Sequence, residues 1–361
     1  MMKNTDASAF GTTKTLLELA GLENLQSLAL IGMSKNAGKT TCLNHIITAW
    51  QASGQTRPLA ITSIGRDGEP KDIVSGRAKP RIYIPAGTLI ASAQGALEQS
   101  DALLEILELS NVRTALGEVV ICRALSDGYV ELAGPGSAEE IGLIADLVRS
   151  YEPDCLFIID GALSRRSQAG SGVSEAVILA VSADTSLDPE LLAEKTRFAL
   201  EVLQTPALDQ TDKKLLLNAC QANPQARALI AIGKVQTIAV EIPSLVGYGK
   251  EIAKNLVPET RILYLRGAIT DQILNELLKE TNFTHLSLVA EDGTRIFLKP
   301  EIVRKLRLRN IDLAVINPID VRMVCLNPTR TNGQTIDSQI LIDKMKQTVK
   351  IPVVDLGPAL L

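Results

Sequence analysis

The segment SLALIGMSKNAGKTTCLNHII, residues 27–47, constrains the fold more than any other stretch of the chain. An apolar run of strand length enters a loop, and a helical stretch leaves it through Gly38, Lys39, Thr40 and Thr41. That order of strand, loop and helix is the context a Walker A phosphate grip requires. In such a loop, successive backbone N–H groups converge on phosphate oxygens, and the helix N-terminus adds a favourable dipole. The nucleotide-binding stretch expected here is Ser34, Lys35, Asn36, Ala37, Gly38, Lys39, Thr40 and Thr41. Gly38 permits close backbone approach, Lys39 reaches the outer phosphates as a point charge, and the Thr40 hydroxyl ligates Mg2+.

The match departs from the usual G-x-x-x-x-G-K-[ST] in one place. Met33 stands at the first glycine position, and a glycine precedes it at Gly32. Lys35 lies four residues before Lys39. MinD-like ATPases carry their signature lysine five before, where this chain has Ser34, so Lys35 does not take that intersubunit role. The competing reading, an accidental Gly-Lys-Thr in a surface loop, is opposed by the correct order of the flanking elements.

Length and composition widen the picture. The 361 residues exceed what one hydrophobic core organises, which favours two domains. Hydrophobic residues make up 46% but aromatic ones only 3%, so Ala, Val, Ile and Leu must build the core. That composition suits parallel strands buried on both faces. Apolar runs alternate with helical stretches at about 39–52, 93–109, 138–150 and 188–204. The expectation is an α/β fold: a mostly parallel P-loop NTPase domain, then a second, smaller α/β domain. Residues 1–23 form an N-terminal helical segment, 24–204 the nucleotide-binding domain, and 205–361 a partner-interaction domain. A polar, irregular stretch extends to about residue 229. Glu291-Asp292-Gly293 reads as a hairpin turn, and residues 311–328 as one apolar run.

A formal net charge of −4 provides no field for nucleic acid. The basic stretch Arg304, Lys305, Arg307 and Arg309 suits the end of a helix. Five scattered cysteines and two histidines argue against a zinc cluster and for a reducing compartment. The polar start of the chain lacks a signal core, and no run has the length of a membrane span. A cytoplasmic protein is expected.

The grip needs a carboxylate to orient Mg2+ or water. Asp160, in CLFIIDGALSRRS, follows four apolar residues at the end of a strand, as a Walker B aspartate does; the alternative is a turn cap. Asp67 and Glu69, in TSIGRDGEPKD, are expected at the carboxyl edge of the sheet, where open α/β sheets bind ligands; the alternative is a solvated loop. The expected catalytic set is Lys39, Asp160 and Asp67, and the metal set is Thr40, Asp160 and Glu69. Ser126 and Asp127 suit either a site loop or a plain hairpin. Ser164, Arg165 and Arg166 suit either a phosphate-sensing switch or exposed charge. The guanine-binding N-K-x-D and T-K-x-D motifs do not occur, which favours ATP.

Several segments together resemble one family: IGMSKNAGKTT, LAITSIGRDGE, KPRIYIPAGTLIA, GEVVICRALSDGYVELAGP, IIDGALSRRS, ITDQILNELL, TRIFL and LNPTRTNG. The set is similar to the P-loop subunit associated with D-lysine aminomutase, an adenosylcobalamin enzyme, in a reactivase role. The resemblance runs from about residue 24 to the end. It implies an ATP-driven factor that helps release damaged cofactor, acting with a MutS-like ATPase subunit and the aminomutase, with a homo-oligomer possible. Two other readings stay open: an ATP-dependent synthetase resembling dethiobiotin synthetase or the cobyrinate amidating enzymes, and a non-catalytic module that nucleotide stabilises. The amidating version lacks a cysteine with an evident histidine partner.

Overall fold

In a computed structural model, the described residues are 16–34, 36–64, 81–161, 174–280 and 285–357. The first half contains α1 (Leu16–Ala20), β1 (Ser27–Gly32), α2 (Lys39–Ala52), β2 (Leu59–Ser63), β3 (Ile82–Ile84), β4 (Leu89–Ala93) and α3 (Gln94–Leu97). It continues with β5 (Leu104–Thr114), β6 (Gly117–Ala124), β7 (Gly128–Val130), α4 (Ala138–Tyr151), β8 (Leu156–Asp160), β9 (Ala176–Ser182) and α5 (Pro189–Leu203). Next come α6 (Gln210–Ala222), β10 (Ala228–Ile232), β11 (Gln236–Val240), α7 (Gly249–Ala253), β12 (Thr260–Leu265), β13 (Ile269–Thr270) and α8 (Asp271–Glu280). The last stretch holds β14 (Ser287–Ala290), β15 (Ile296–Phe297), α9 (Pro300–Leu308), β16 (Asp312–Val315), β17 (Val321–Asn327), α10 (Ser338–Thr348) and β18 (Val353–Asp355).

Two sheets dominate. The larger has nine strands in the order β18-β17-β9-β1-β8-β2-β4-β6-β5, and only β6 runs against its neighbours. The fold is therefore α/β with a mostly parallel sheet, as the sequence indicates. Strand alternation feeds both faces: Ala29 and Ile31 of β1 enter one core with α4, α5 and α10, while Leu28 and Leu30 enter the other with α1 and α2. Each such buried Leu or Ile contributes about 1.5–3 kcal/mol. The smaller sheet has five strands, β11-β10-β12-β14-β16, with β12, β14 and β16 parallel. Among the described residues no helix is long and apolar enough to cross a membrane.

The domain boundaries differ from the expectation. Residues 205–361 are not one continuous unit: β17 and β18 return to the nine-stranded sheet, with β17 parallel to β9. The five-stranded sheet is thus built from an insertion. The apolar run at 311–328 divides between the two sheets, β16 in one and β17 in the other. At the N-terminal end, Leu17, Ala20 and Leu22 are buried in the core beside α2, so this segment belongs to the larger lobe.

Three local readings change as well. The helix expected at 93–109 is a single turn, α3, followed by the long edge strand β5. Leu103, Leu104, Ile106, Leu107 and Leu109 imitate helical spacing, but a register shift between Ile106 and Glu108 inserts one residue into a strand. The stretch before 229 contains the helix α6, capped by Asp209, which accepts from the backbone N–H groups of Thr211 and Asp212. Glu291-Asp292-Gly293 is no hairpin. Strand β14 lies between parallel neighbours β12 and β16, and Asp292 caps a short 3-10 turn by accepting from the Thr294 N–H at 2.7 Å.

Candidate functional site

β1 sits in the middle of the large sheet, flanked by β8 and β9, and delivers Met33 and Ser34 to the sheet's carboxyl edge. Gly38, at φ +91°, is in the left-handed region and starts α2; the Cys42 N–H donates to its carbonyl at 2.9 Å. Asn36 also has positive φ, at 60°. Two left-handed residues in three bend the backbone sharply just before the helix N-terminus.

Gly32, rather than position 33, is where the loop leaves no room for a side chain. A Cβ on Gly32 would lie 2.8 Å from Ala37 Cβ and 3.4 Å from Lys39 Nζ. The Lys39 ammonium therefore folds back over the start of the loop, across a residue that must lack a side chain. Met33 turns away: its thioether accepts from Thr196 Oγ at 3.5 Å, and its side chain packs against the core. The loop is one residue longer than the usual pattern, and the methionine is absorbed by the interior.

Asp160 ends β8, opposite Leu30 of β1 and Ser63 of β2. Its Oδ1 is buried and has no hydrogen-bond partner among the described residues. Burial raises its pKa, and the Lys39 charge opposes the rise. Lys39 and Asp160 are thus brought to one place, with the half-buried Thr40 and Thr41 on the first turn of α2. Ser34 Oγ lies 3.4 Å from Ser182 Oγ, which fastens the loop to the end of β9. Lys35, Asp67, Glu69, Arg66, Ser164, Arg165 and Arg166 lie outside the described residues.

Ser126 and Asp127 are not brought to the site. Because β6 runs antiparallel to β4, their loop emerges at the opposite edge of the sheet. There Ser126 Oγ accepts from the Leu103 N–H, and Asp127 accepts from the Ala86 N–H and the Tyr83 hydroxyl. These are structural roles.

Other residues surround the loop that sequence reasoning passed over. Asn327, the last residue of β17, packs against Gly38, and its Oδ1 accepts from the Thr329 N–H at 3.1 Å. Past the end of β9, Asp184 Oδ1 accepts from both the backbone N–H and the hydroxyl of Thr331, each at 3.1 Å, which anchors the 329–335 hairpin. Asp184 Oδ2 and Thr185 Oγ are buried without partners among the described residues. Gly134 crosses the end of β2, its N–H donating to Ser63 Oγ at 3.0 Å. The available signal was positional: SADTS and LNPTRTNG each follow an apolar strand, as the Asp160 segment does.

The donor set fits an Mg2+-nucleotide. Among the described residues no group of three or more His, Cys, Asp or Glu could hold a metal by itself. One hydroxyl and one carboxylate beside a loop at a helix N-terminus are donors of the kind Mg2+ takes, the rest of its shell being waters and phosphate oxygens. No family model, curated protein or solved structure matches the chain.

Proposed function

We propose that the chain is a P-loop ATPase that binds ATP with Mg2+ at the loop ending in Gly38, Lys39 and Thr40. The observation that supports this most is the Lys39 ammonium folded against Gly32 beside Asp160, whose Oδ1 is buried and unpartnered. A lone buried carboxylate oxygen is costly to keep, about 1–3 kcal/mol, unless a ligand satisfies it. Thr40 and Asp160 would hold Mg2+, which supplies charge neutralisation at the phosphates when bound. Lys39 and the backbone N–H groups at the start of α2 orient the phosphate chain and stabilise charge that develops on it. Asp67 and Glu69 remain proposed members of the site on sequence grounds alone.

The wider role rests on the resemblance of the quoted segments. In this reading the chain is the ATPase component of a reactivating factor for an adenosylcobalamin-dependent aminomutase. It works in the cytoplasm with a MutS-like subunit, and the inserted lobe faces partners.

Calorimetric titration with Mg2+-ATP tests the site. Wild-type protein should bind, and Lys39→Ala should lose at least a hundredfold in affinity with its fold retained; equal binding by both rejects the assignment. A pull-down from native lysate with and without ATP tests the role. Recovery of an aminomutase or a large ATPase supports it. Full-rate turnover of a small carboxylate without any protein partner replaces it with the synthetase reading.

A further inference from the structure

The five-stranded sheet leaves part of its outer edge unpaired, and a cavity of about 500 Å³ opens there. β16 is the outer strand. The Asp312 N–H donates to Leu286 O and the Ile316 N–H to Ala290 O, so its even-numbered residues bond inward, toward β14. In a parallel strand the odd-numbered residues then bond outward. At Val315 that outward pair is used: its N–H donates to Pro206 O, and its carbonyl accepts from the Leu208 N–H. Ala207 thereby forms an isolated parallel bridge with Val315.

Two residues earlier, Leu313 presents the same two groups to the cavity. Among the described residues no third chain segment meets them. The segment that pairs with Val315 cannot extend further back, because in that register the Leu313 carbonyl would need the N–H of residue 206, and Pro206 has none. The result is a strand edge begun by three residues of linker and left unfinished. Buried or half-buried backbone groups are ordinarily paired.

The walls indicate what would complete the edge. Val202 of α5 and Val303 and Leu306 of α9 give apolar sides. The cavity's charged residues are three carboxylates, Glu201, Asp209 and Asp312, against one guanidinium, Arg307. Glu201 is already paired with Arg307 and Arg197, and Asp209 caps α6. Asp312 is exposed and has no ion-pair partner among the described residues.

We propose that this cavity binds an extended segment of a partner protein by strand addition. The segment hydrogen-bonds to the Leu313 N–H and carbonyl, buries an aliphatic side chain between α5 and α9, and sets a Lys or Arg against Asp312. Strand addition takes its affinity from main-chain bonds and its selectivity from alternate side chains. The site is independent of the nucleotide loop.

The test titrates the full-length protein with the peptide acetyl-Lys-Val-Lys-Val-Lys-amide by calorimetry. The expected result is a Kd below about 1 mM. Asp312→Lys, at an exposed position, should weaken binding at least tenfold. The same peptide N-methylated at all five residues, which has lost the amide donors in either strand direction, should also bind at least tenfold more weakly to unaltered protein. An acidic twin with Glu in place of Lys should not bind. No measurable binding of the basic peptide overturns the proposal, and so does equal affinity for the N-methylated peptide. A concentration-dependent dimer in sedimentation that Asp312→Lys abolishes, without peptide binding, overturns it in favour of a second copy of this chain.

Discussion

The side chain of Asn327 lies against Gly38: a Cβ on that glycine would come within 3.1 Å of Asn327 Cβ. The last residue of β17 therefore props the turn from which α2 starts. Gly38→Ala meets two penalties, the contact with Asn327 and a φ of +91° that L-residues avoid. We expect at least a tenfold loss of Mg2+-ATP affinity and about 1–3 kcal/mol of destabilisation, read by calorimetry and urea unfolding. Unchanged affinity would mean that the turn does not shape the proposed phosphate site.

Asp160→Asn should separate stability from function. The folded-state pKa of Asp160 is raised, so ionising it disfavours the fold as pH rises past the ordinary carboxylate range. At pH 7 the amide removes that cost. The variant should be more stable than wild type at pH 7, and the difference should shrink as pH falls into the ordinary carboxylate range. Mg2+-dependent hydrolysis should be lost. A less stable variant would show that the carboxylate is paired in the free protein.

His45, one turn into α2, gives a pH signature. Burial lowers its pKa below the ordinary 6.5, and a hydrogen bond with the Leu356 backbone opposes that shift. The unfolded chain then takes up the proton first. The His45 contribution to stability is whole above pH 6.5 and is lost as pH falls below that value toward the depressed folded pKa. Urea unfolding of wild type and His45→Gln between pH 7.5 and 5 should show the difference between them shrinking or reversing below 6.5. Parallel pH profiles would contradict this.

Gly134 is fixed by a neighbour rather than by its own torsion angles. A Cβ there would fall 1.8 Å from the Ser63 carbonyl oxygen, a backbone atom. Gly134→Ala must therefore lift the 131–137 segment off the end of β2. A loss of about 2–4 kcal/mol is expected, the cost of overpacking at a site with no flexible neighbour. Near-wild-type thermal unfolding would show that the segment moves freely.

Arg57 ties three segments of the large lobe together. Its guanidinium donates to the carbonyls of Glu23, Leu25, Asp154 and Cys155, while the Trp50 indole N–H donates to the Arg57 carbonyl at 2.9 Å. A lysine has the charge but not the planar fork. Both Arg57→Ala and Arg57→Lys should cost about 2–4 kcal/mol, from several charge-assisted bonds lost together. Rescue by lysine would show that charge alone suffices.

The legible parts of the sequence were those whose pattern and chemistry agree. Strand β1, helix α2 and the Gly-Lys-Thr turn announce themselves because an apolar run, a glycine and a helical period follow one another. Asp160 is legible for the same reason, an acid at the end of an apolar strand. Strand β5 was misread because a bulge at Leu107 gives a strand the spacing of a helix. Met33 hid the role of Gly32, since the pattern counts positions and cannot register a side chain withdrawn toward Thr196. Asn327 and Asp184 were missed because their relation to the loop arises from strand order, which places β9 next to β1 and β17 next to β9. The insertion was hidden in the same way: apolar residues on either side of Pro318 read as continuous, although they serve different sheets.

That strand order has a consequence for how the protein is made. Gly38 leaves the ribosome early, whereas Asn327 leaves only after the whole inserted lobe. Domains fold as they emerge when their contacts are local; here the loop and the residue that props it belong to opposite ends of translation. The five-stranded lobe can fold first, while the larger sheet waits for its missing strands. A chain interrupted before β17 has the Gly-Lys-Thr sequence but lacks the strand against which its turn is set.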